Sequence, residues 1–360
     1  MRIGQPLTPW SLVAPAAAWL ALVLGMVGIG TLYIPVAGIA LIAGVASAVH
    51  HAEVVAHRVG EPFGTLVLAA AVTMIEVALI VSLMLSGGAE ASALARDTVF
   101  AAVMIILNGI VGICLLLGGA RHGEQEFGLY GVSASLATLA AILVLTLILP
   151  NFTETTPGPV YSRSQLGFIA VVSLVLYGTF ILIQTVRHRD YFLPVGAAAD
   201  EAVHAEPPSA AATAIAALLL MVSLSAVVLL AKSLAPTVEG VVLRMGAPKA
   251  LVGILVAGIV ATPECLAALR AARADRIQTS LNLGLGSVLA SIGLTIPAVA
   301  VVSLATGWEL TLGLDGKATV LLVLSLLVAT ISLGTGRTTI LQGAVHLVIF
   351  AVYLFTTVVP

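Results

Sequence analysis

One apolar run constrains the fold of this chain more than any other feature. From residue 63 to residue 85, every side chain is apolar, small or hydroxylic except that of Glu76. A helix of this length crosses the hydrocarbon core of a bilayer, which is about 30 Å thick. A carboxylate near the centre of such a helix costs about 2.5–3.5 kcal/mol to insert, so intramembrane acids are usually functional. A second run, residues 248–272, repeats the arrangement around Glu264, and the two acids together indicate a transporter.

The composition is that of a polytopic membrane protein. Of the 360 residues, 60% are hydrophobic and 9% are charged, whereas soluble domains carry about 25% charged residues. We therefore predict an all-α fold of about eleven transmembrane helices, with the lipid bilayer as its partner. The predicted spans are residues 10–30, 33–57, 63–85, 98–118, 129–149, 165–186, 211–231, 250–272, 279–306, 318–333 and 338–359. The seventh span can continue to Arg244.

Several functional classes lack their sequence signals. The chain has no Walker loop, dinucleotide-binding motif, H-E-x-x-H motif or Ser/His/Asp arrangement, which are the patterns that would indicate nucleotide-driven transport or hydrolysis. We therefore expect no enzymatic activity, no cofactor and no nucleic-acid partner. Transport by such a chain would use an ion gradient, and the sequence leaves the oligomeric state open.

The two halves of the chain resemble each other. HAEVVAHRVG at residues 51–60 aligns with TVEGVVLRMG at residues 237–246, which pairs Glu53 with Glu239. With an offset of two residues Glu76 then pairs with Glu264, and further on Asn108 pairs with Asn282. Each repeat contains five predicted helices, and an odd number inserts the second copy upside down. Inverted repeats with an ion site at their interface are typical of secondary transporters.

This duplication predicts the domain organisation and, with the basic residues, the orientation. We expect an extra N-terminal transmembrane helix at residues 1–32, a first repeat at 33–187, a cytoplasmic linker at 188–210 and a second, inverted repeat at 211–360. Nine of the 15 Lys and Arg residues fall on the side of the N-terminus and the linker. Because cytoplasmic loops are enriched in Lys and Arg, the N-terminus is predicted to be cytoplasmic and the C-terminus outside.

Oxygen-bearing side chains accompany both acids. Thr73 lies one turn before Glu76, and Thr262 and Pro263 directly precede Glu264. Proline lacks an amide hydrogen and leaves a carbonyl free one turn earlier, and hard cations such as Ca²⁺ bind oxygen ligands. The following helices add four further candidate ligands for a cation or proton, Asn108, Asn282, Ser287 and Ser291. For the asparagines, hydrogen bonding between helices is an equal alternative, and for the serines helix packing is the more common role.

Charge suggests how Glu76 and Glu264 would work as a metal-binding and proton-binding pair. Neither apolar core contains a Lys or Arg to neutralise them, and two buried carboxylates that repel each other bind protons readily. One divalent cation or two protons neutralise the pair, so cation and protons compete. Competition combined with alternating access gives exchange.

Five further residues lie near the predicted helix ends. His50, His51 and His57 surround Glu53, and Glu239 occupies the matching place in the second repeat. Imidazole titrates near neutral pH, so the group is a candidate vestibule or pH sensor. The alternative is an ordinary cluster of solvated charges at the membrane interface.

Two long motifs resemble a known family. GEPFGTLVLAAAVTMIEVALIVSLM and ATPECLAALRAARADRIQTSLNLGLGSVLASIGLTIP are similar to the two repeat motifs of the cation/Ca²⁺ exchanger superfamily, and most similar to bacterial ChaA-type calcium (sodium, potassium)/proton antiporters. ILNGIVGICLLLGG resembles the helix after the first motif. The resemblance implies the inverted five-plus-five fold with an extra first helix. It also implies proton-driven cation exchange across a bacterial inner membrane, with Glu76 and Glu264 as carriers.

The resemblance leaves the transported cation open. Many superfamily members carry an asparagine three residues before each acid, where this chain has Thr73 and Ala261. Ca²⁺ is the first expectation, and a Na⁺ or K⁺/H⁺ antiporter with little Ca²⁺ transport is the alternative. A cation channel is a further alternative, but a channel needs a continuous polar pore with rings of ligands, and the spans show no such pattern.

Overall fold

The computed structural model describes residues 8–27, 32–60, 63–87, 92–193, 207–244, 248 and 250–359. The described chain is almost entirely helical. Its α-helices are α1 (Pro9–Val27), α2 (Tyr33–Val59), α3 (Phe63–Gly87), α4 (Leu94–Val103), α5 (Val111–His122), α6 (Leu129–Leu143), α7 (Arg163–Leu182), α8 (Ala210–Arg244), α9 (Ala250–Arg273), α10 (Ile277–Thr306), α11 (Gly316–Leu333) and α12 (Ile340–Val358).

Short elements of other types interrupt or extend these helices. π-helical turns cover Met104–Ile110, Val144–Ile148 and Ile183–Arg187, and 3₁₀ turns cover Leu149–Phe152 and Arg189–Phe192. The strands β1 (Gln125–Glu126) and β2 (Arg337–Thr338) pair antiparallel. Through the π-helical turn at Met104–Ile110, α4 and α5 form one continuous span, Leu94–His122.

The chain divides into two compact units. The first comprises Met1–Gly88 and Val203–Val252, and the second comprises Ala89–Ala202 and Gly253–Pro360. In the first unit, α2 packs against α1, α3 and α8. Small residues permit this packing, because a Cβ on Gly44 would lie only 3.0 Å from Val227. The hydroxyl of Tyr33 also lies 2.6 Å from that of Ser233 on α8.

In the second unit, α10 forms the centre. It packs against α4, α5, α6 and α7, and most of its length is buried. On α12, the backbone lies directly against α5, because a Cβ on Gly343 would clash with the amide nitrogen of Leu116 and lie 2.8 Å from the carbonyl oxygen of Gly112. The core of this unit is therefore a set of closely packed helices around α10, with α12 fixed along α5.

The contacts of the second unit are compatible with the predicted duplication. The contact of α6 with α7 has a counterpart in that of α11 with α12, and the contact of α7 with α10 has one in that of α12 with α5. Both α7 and α12 begin with a capping box, formed by Ser162 with Gln165 and by Thr339 with Gln342. The inverted repeat itself and the boundaries of the predicted domains remain predictions.

The prediction of an all-α polytopic membrane protein is confirmed. Among the described residues, eight helices are long and apolar enough to cross a membrane, and the bent α9 adds a ninth. Shorter apolar segments lie at Pro9–Gly25 and Ala70–Ser82, so a total of eleven is compatible and stays a prediction. As expected, α8 continues to Arg244. Most of the predicted linker, residues 194–206, lies outside the described residues.

Candidate cation and proton site

Glu76 lies in the middle of α3. It is the fourteenth of the 25 residues of that helix, and only 3% of it is exposed. Thr73, one turn earlier, is also buried, so a hydroxyl and a carboxylate share one stripe of the helix. The sequence predicted this pair, and the first unit brings the two residues together on one buried face.

Glu264 lies directly after a break in α9. The segments Leu251–Thr262 and Glu264–Arg273 meet at 54°, and Pro263 occupies the break, where a proline removes one helical hydrogen bond. Glu264 is half-buried. The exposed Thr262 donates its hydroxyl to the carbonyl of Gly258 at 2.7 Å, within its own helix. Glu264 belongs to the second unit and Glu76 to the first, so their pairing stays a prediction.

Asn108 is the centre of a buried polar network in the second unit. It lies in the π-helical turn Met104–Ile110, a type of turn that is frequent at functional sites, and it is completely buried. Its amide nitrogen Nδ2 lies 2.8 Å from the Ser325 hydroxyl, and its oxygen Oδ1 lies 3.1 Å from Nδ1 of His346. Nε2 of His346 lies 2.9 Å from the Ser332 hydroxyl. The network joins α11 and α12 to the π-helical turn.

The direction of these hydrogen bonds follows from their donors. The Ser325 hydroxyl donates to the carbonyl of Leu321 at 2.7 Å, so its oxygen must accept from Nδ2 of Asn108. Oδ1 of Asn108 then accepts a hydrogen bond, and His346 must carry its proton on Nδ1. Nε2 of the neutral ring is left as an acceptor, to which the Ser332 hydroxyl can donate at 2.9 Å in place of the Ala329 carbonyl at 3.3 Å. The bonds of Ser325 and Asn108 therefore fix the tautomer of His346.

The other predicted ligands of α10 lie at different levels of the helix. Asn282 is close to its start, where Nδ2 contacts the carbonyl of Phe192 at 2.5 Å and Oδ1 accepts from Gln278 at 2.9 Å. Its amide therefore ties α10 to the 3₁₀ turn that ends at Phe192. Ser287 is half-buried and Ser291 is buried. Ser291 is the fifteenth of 30 residues in its span, and Asn108 is the fifteenth of 29. Ser291 therefore shares the mid-span position of Asn108, whereas Asn282 lies near the start of its span.

The predicted vestibule residues lie in α2 and α8 of the first unit. His51 is fully buried, and its Nε2 donates to the carbonyl of Ser11 at 3.0 Å. The ring of the half-buried His50 lies 5.2 Å from that of Trp10 and 5.6 Å from that of His51. Glu53 and His57 are exposed, and the side chain of Glu239 lies outside the described residues. A role as vestibule or pH sensor stays a prediction for all five.

Two further observations define what surrounds these residues. Within the described ranges, no group of three or more His, Cys, Asp or Glu side chains converges as it would around a resident metal ion. A cavity of about 460 Å³ lies at one end of the second unit, lined in part by Arg96, Asn151, Glu154 and Asp315. Asp315 caps α11 through the amide of Ala318, so it has a structural role there.

Sequence reasoning missed His346, Ser325 and Ser332. A signal for His346 was present, because it is the single histidine in the last predicted span. Its significance depends on the contact with Asn108, which is 238 residues away in the chain. Nothing in the sequence pattern distinguishes Ser325 or Ser332 from the other serines of apolar helices.

A comparison with protein families identifies the chain. The family described as sodium/calcium exchanger protein matches residues 29–186 and 215–359. The chain belongs to this family. It is therefore an integral membrane protein of a transporter family, which confirms the family resemblance. The two matched segments begin and end within four residues of the two predicted repeats.

Several proteins are similar in sequence to most of this chain. The protein y4hA of Sinorhizobium fredii, named as an ionic transporter, is 51% identical over 87% of this chain and 85% of its own length. The sodium-potassium/proton antiporter ChaA of Escherichia coli is 40% identical over 86% of this chain and 84% of its own length. A Ca²⁺/H⁺ antiporter of Aphanothece halophytica is 23% identical over 74% of this chain and 75% of its own length.

Solved structures share the fold. The Ca²⁺/H⁺ antiporter protein YfkE matches with a TM-score of 0.74 and 16% identity, over 97% of this chain and 99% of that protein. The H⁺/Ca²⁺ exchanger CAX matches with a TM-score of 0.67 and 14% identity, over 96% of this chain and 88% of that protein. At these identities the likeness establishes the fold alone.

Proposed function

We propose that this chain is a secondary active antiporter that exchanges a cation for protons by alternating access. The observation that carries the proposal is Glu76, a carboxylate 3% exposed in the middle of an apolar helix in a member of the sodium/calcium exchanger family. An acid at such a position is a functional site by default, because it is costly to insert. Glu264, at the break of α9, is the proposed second carrier.

The proposed chemistry is neutralisation of carboxylates. A buried carboxylate needs a counter-charge or a proton, and either a cation or protons can provide it at Glu76 and Glu264. Thr73 beside Glu76 offers a neutral oxygen for a cation. The carbonyl freed by Pro263 would do the same beside Glu264. Since cation and protons neutralise the same groups, they exclude each other, and the movement of one drives the other.

The identity of the cation is part of the proposal. Ca²⁺ is the expectation from the sequence, and the Ca²⁺/H⁺ antiporter of Aphanothece halophytica supports it at 23% identity. The more similar ChaA, at 40% identity, is named for sodium, potassium and protons. Positions 73 and 261 also carry Thr and Ala in place of the asparagine found in many superfamily members. Both observations favour Na⁺ or K⁺ as a second candidate. We further propose a bacterial inner membrane, with the N-terminus in the cytoplasm and the C-terminus outside.

Proton release from everted vesicles tests the proposal. Vesicles containing the full chain are energised to be acid inside, and a trapped pH dye reports the recovery of internal pH after addition of Na⁺, K⁺ or Ca²⁺. We expect recovery with at least one ion for the wild type, and none for Glu76→Gln or Glu264→Gln. The matched control is Glu309→Gln, the same substitution at an exposed position between α10 and α11, which should recover like the wild type.

Two results would contradict the proposal. Recovery with Na⁺, K⁺ or Ca²⁺ that persists in both glutamine variants would show that Glu76 and Glu264 are not the carriers. Cation flux that runs only down its own gradient, without proton counterflow, would indicate a channel in place of an antiporter.

A further inference from the structure

We infer that His346 is a positioning residue that orients Asn108 toward the transported cation and thereby sets the affinity of the site. The contacts that carry this inference are the hydrogen bonds from Nδ1 of His346 to Oδ1 of Asn108 and from Nδ2 of Asn108 to Ser325. The inference rests on the proposed function, because Asn108 affects transport in this way only if it faces the cation.

The orientation of the Asn108 amide decides whether it can bind a cation. Oδ1 is a ligand for hard cations, whereas Nδ2 carries two hydrogens and repels them. Without fixed partners the side-chain amide rotates, and the two ends exchange places. Ser325 accepts from Nδ2 and His346 donates to Oδ1, so together they hold one orientation. Because Oδ1 has two lone pairs, the bond from His346 leaves one for a ligand.

The ring of His346 is itself held in place. The Ser332 hydroxyl lies 2.9 Å from Nε2 and can donate to it when the ring proton is on Nδ1. His346 is completely buried, and its Cβ atom would lie 3.0 Å from a Cβ added to Gly112 on α5, so α12 lies close against α5 at this residue. A fixed ring on a fixed backbone defines the position of the donor, and through it the position of Oδ1.

Helix packing alone does not require this network. Replacing both partners of a buried hydrogen bond by apolar groups of similar shape can be nearly neutral for stability. Ser325 and His346 nevertheless both bond to Asn108, which lies at the midpoint of the span Leu94–His122, inside a π-helical turn. Such turns are uncommon in proteins as a whole, and those that occur are often found at functional sites. These features are expected if the orientation of the Asn108 amide matters for transport.

Substitutions at His346 distinguish orientation from packing. His346→Leu removes both ring nitrogens, while His346→Asn keeps an N–H near the position of Nδ1. His346→Gln instead places its amide near the position of Nε2. In the vesicle assay, with Na⁺, K⁺ and Ca²⁺ as probes, we expect His346→Leu and His346→Gln to raise the half-saturating cation concentration about tenfold, the factor that corresponds to one hydrogen bond. The maximal rate should change less than about threefold, and His346→Asn should stay within about threefold of the wild type.

A double substitution tests whether His346 acts through Asn108. Residues that act through one contact are not additive, so His346→Leu should add nothing measurable in an Asn108→Ala background. The control on the same helix is Thr357→Val, because the Thr357 hydroxyl donates to the carbonyl of Tyr353 in its own helix. This variant should leave the half-saturating concentration unchanged.

Three outcomes would overturn the inference alone. His346→Asn could behave like His346→Leu, which would make the loss a matter of shape. His346→Leu could have its full effect in the Asn108→Ala background. Asn108→Ala could leave half-saturation unchanged while Glu76→Gln abolishes exchange, in which case the proposed function stands and only the inference fails. A wild type without any cation-dependent proton flux would overturn both.

Discussion

The close contact between α5 and α12 leads to a prediction about Gly343. A Cβ at this position would clash with the amide nitrogen of Leu116 and lie 2.8 Å from the carbonyl oxygen of Gly112. Ordinary contacts of a carbon atom are about 3.5–4.0 Å, and backbone atoms of a packed helix do not rotate away. In the variant Gly343→Ala, α12 must therefore move about 1 Å away from α5.

The magnitude follows from this displacement. Overpacking of a well-packed core costs about 1–3 kcal/mol. A movement of about 1 Å also lengthens the 3.1 Å bond between His346 and Asn108 beyond hydrogen-bond distance, which costs about 1 kcal/mol more. The total is about 2–4 kcal/mol. For domains of about 150–250 residues, each kcal/mol lowers Tm by about 2–4 °C, so we expect a decrease of about 5 °C or more.

Thermal unfolding in detergent, followed by the loss of monodisperse protein, measures this change. The matched control is Gly178→Ala in α7, where an added Cβ meets no atom within 4 Å. Because alanine favours a helix over glycine, this control should be unchanged or slightly more stable. Equal Tm values for Gly343→Ala and Gly178→Ala would refute the reasoning, since the space at the two positions differs so much.

Two further predictions concern the start of α7. Ser162→Ala removes the capping box with Gln165 and should lower stability by about 1 kcal/mol, measured as a decrease in Tm that Ser164→Ala does not produce. Burial raises the pKa of Tyr161 to about 12, and its hydroxyl donates to the carbonyl of Leu145. Because the pKa is raised in the folded state, the protonated Tyr161 hydroxyl stabilises the fold below pH 10. This stabilisation is lost as the pH rises toward 12. The Tm of the wild type should therefore fall more steeply over that range than the Tm of Tyr161→Phe, and parallel curves would contradict this assignment.

The helices were predictable because their signal is local. Apolar runs bounded by charges or glycines predicted α2, α3, α10 and α11 to within two residues at each end, since a membrane helix is defined by length and composition. The span Leu94–His122 extends four residues beyond the predicted span at each end. The helix continues there through charged residues such as Asp97 and Arg121, whereas their charge predicted that the span would end before them.

The site was predictable only in part, because contact between distant residues leaves no trace in a single sequence. The burial of Glu76 and Asn108 follows from their place in apolar runs, and both are buried. The alignment of the halves paired Asn108 with Asn282. In the structure Asn282 bonds to Phe192 near the start of α10, and its pairing with Asn108 stays a prediction. A sequence comparison of two apolar segments cannot fix the position of a residue along its span when a π-helical turn changes the number of residues per turn.

The division of the chain into interleaved units has a consequence for its biosynthesis. Each unit contains segments from both halves, so α1–α3 enter the membrane well before their partner α8 is made. Asn108 is made 238 residues before His346. At a synthesis rate of about 5–20 residues per second, its amide spends about 10–50 s without that partner. A chain that stalls before α12 would therefore keep Oδ1 of Asn108 without its donor inside an apolar span, although Ser325 on α11 is already present for Nδ2.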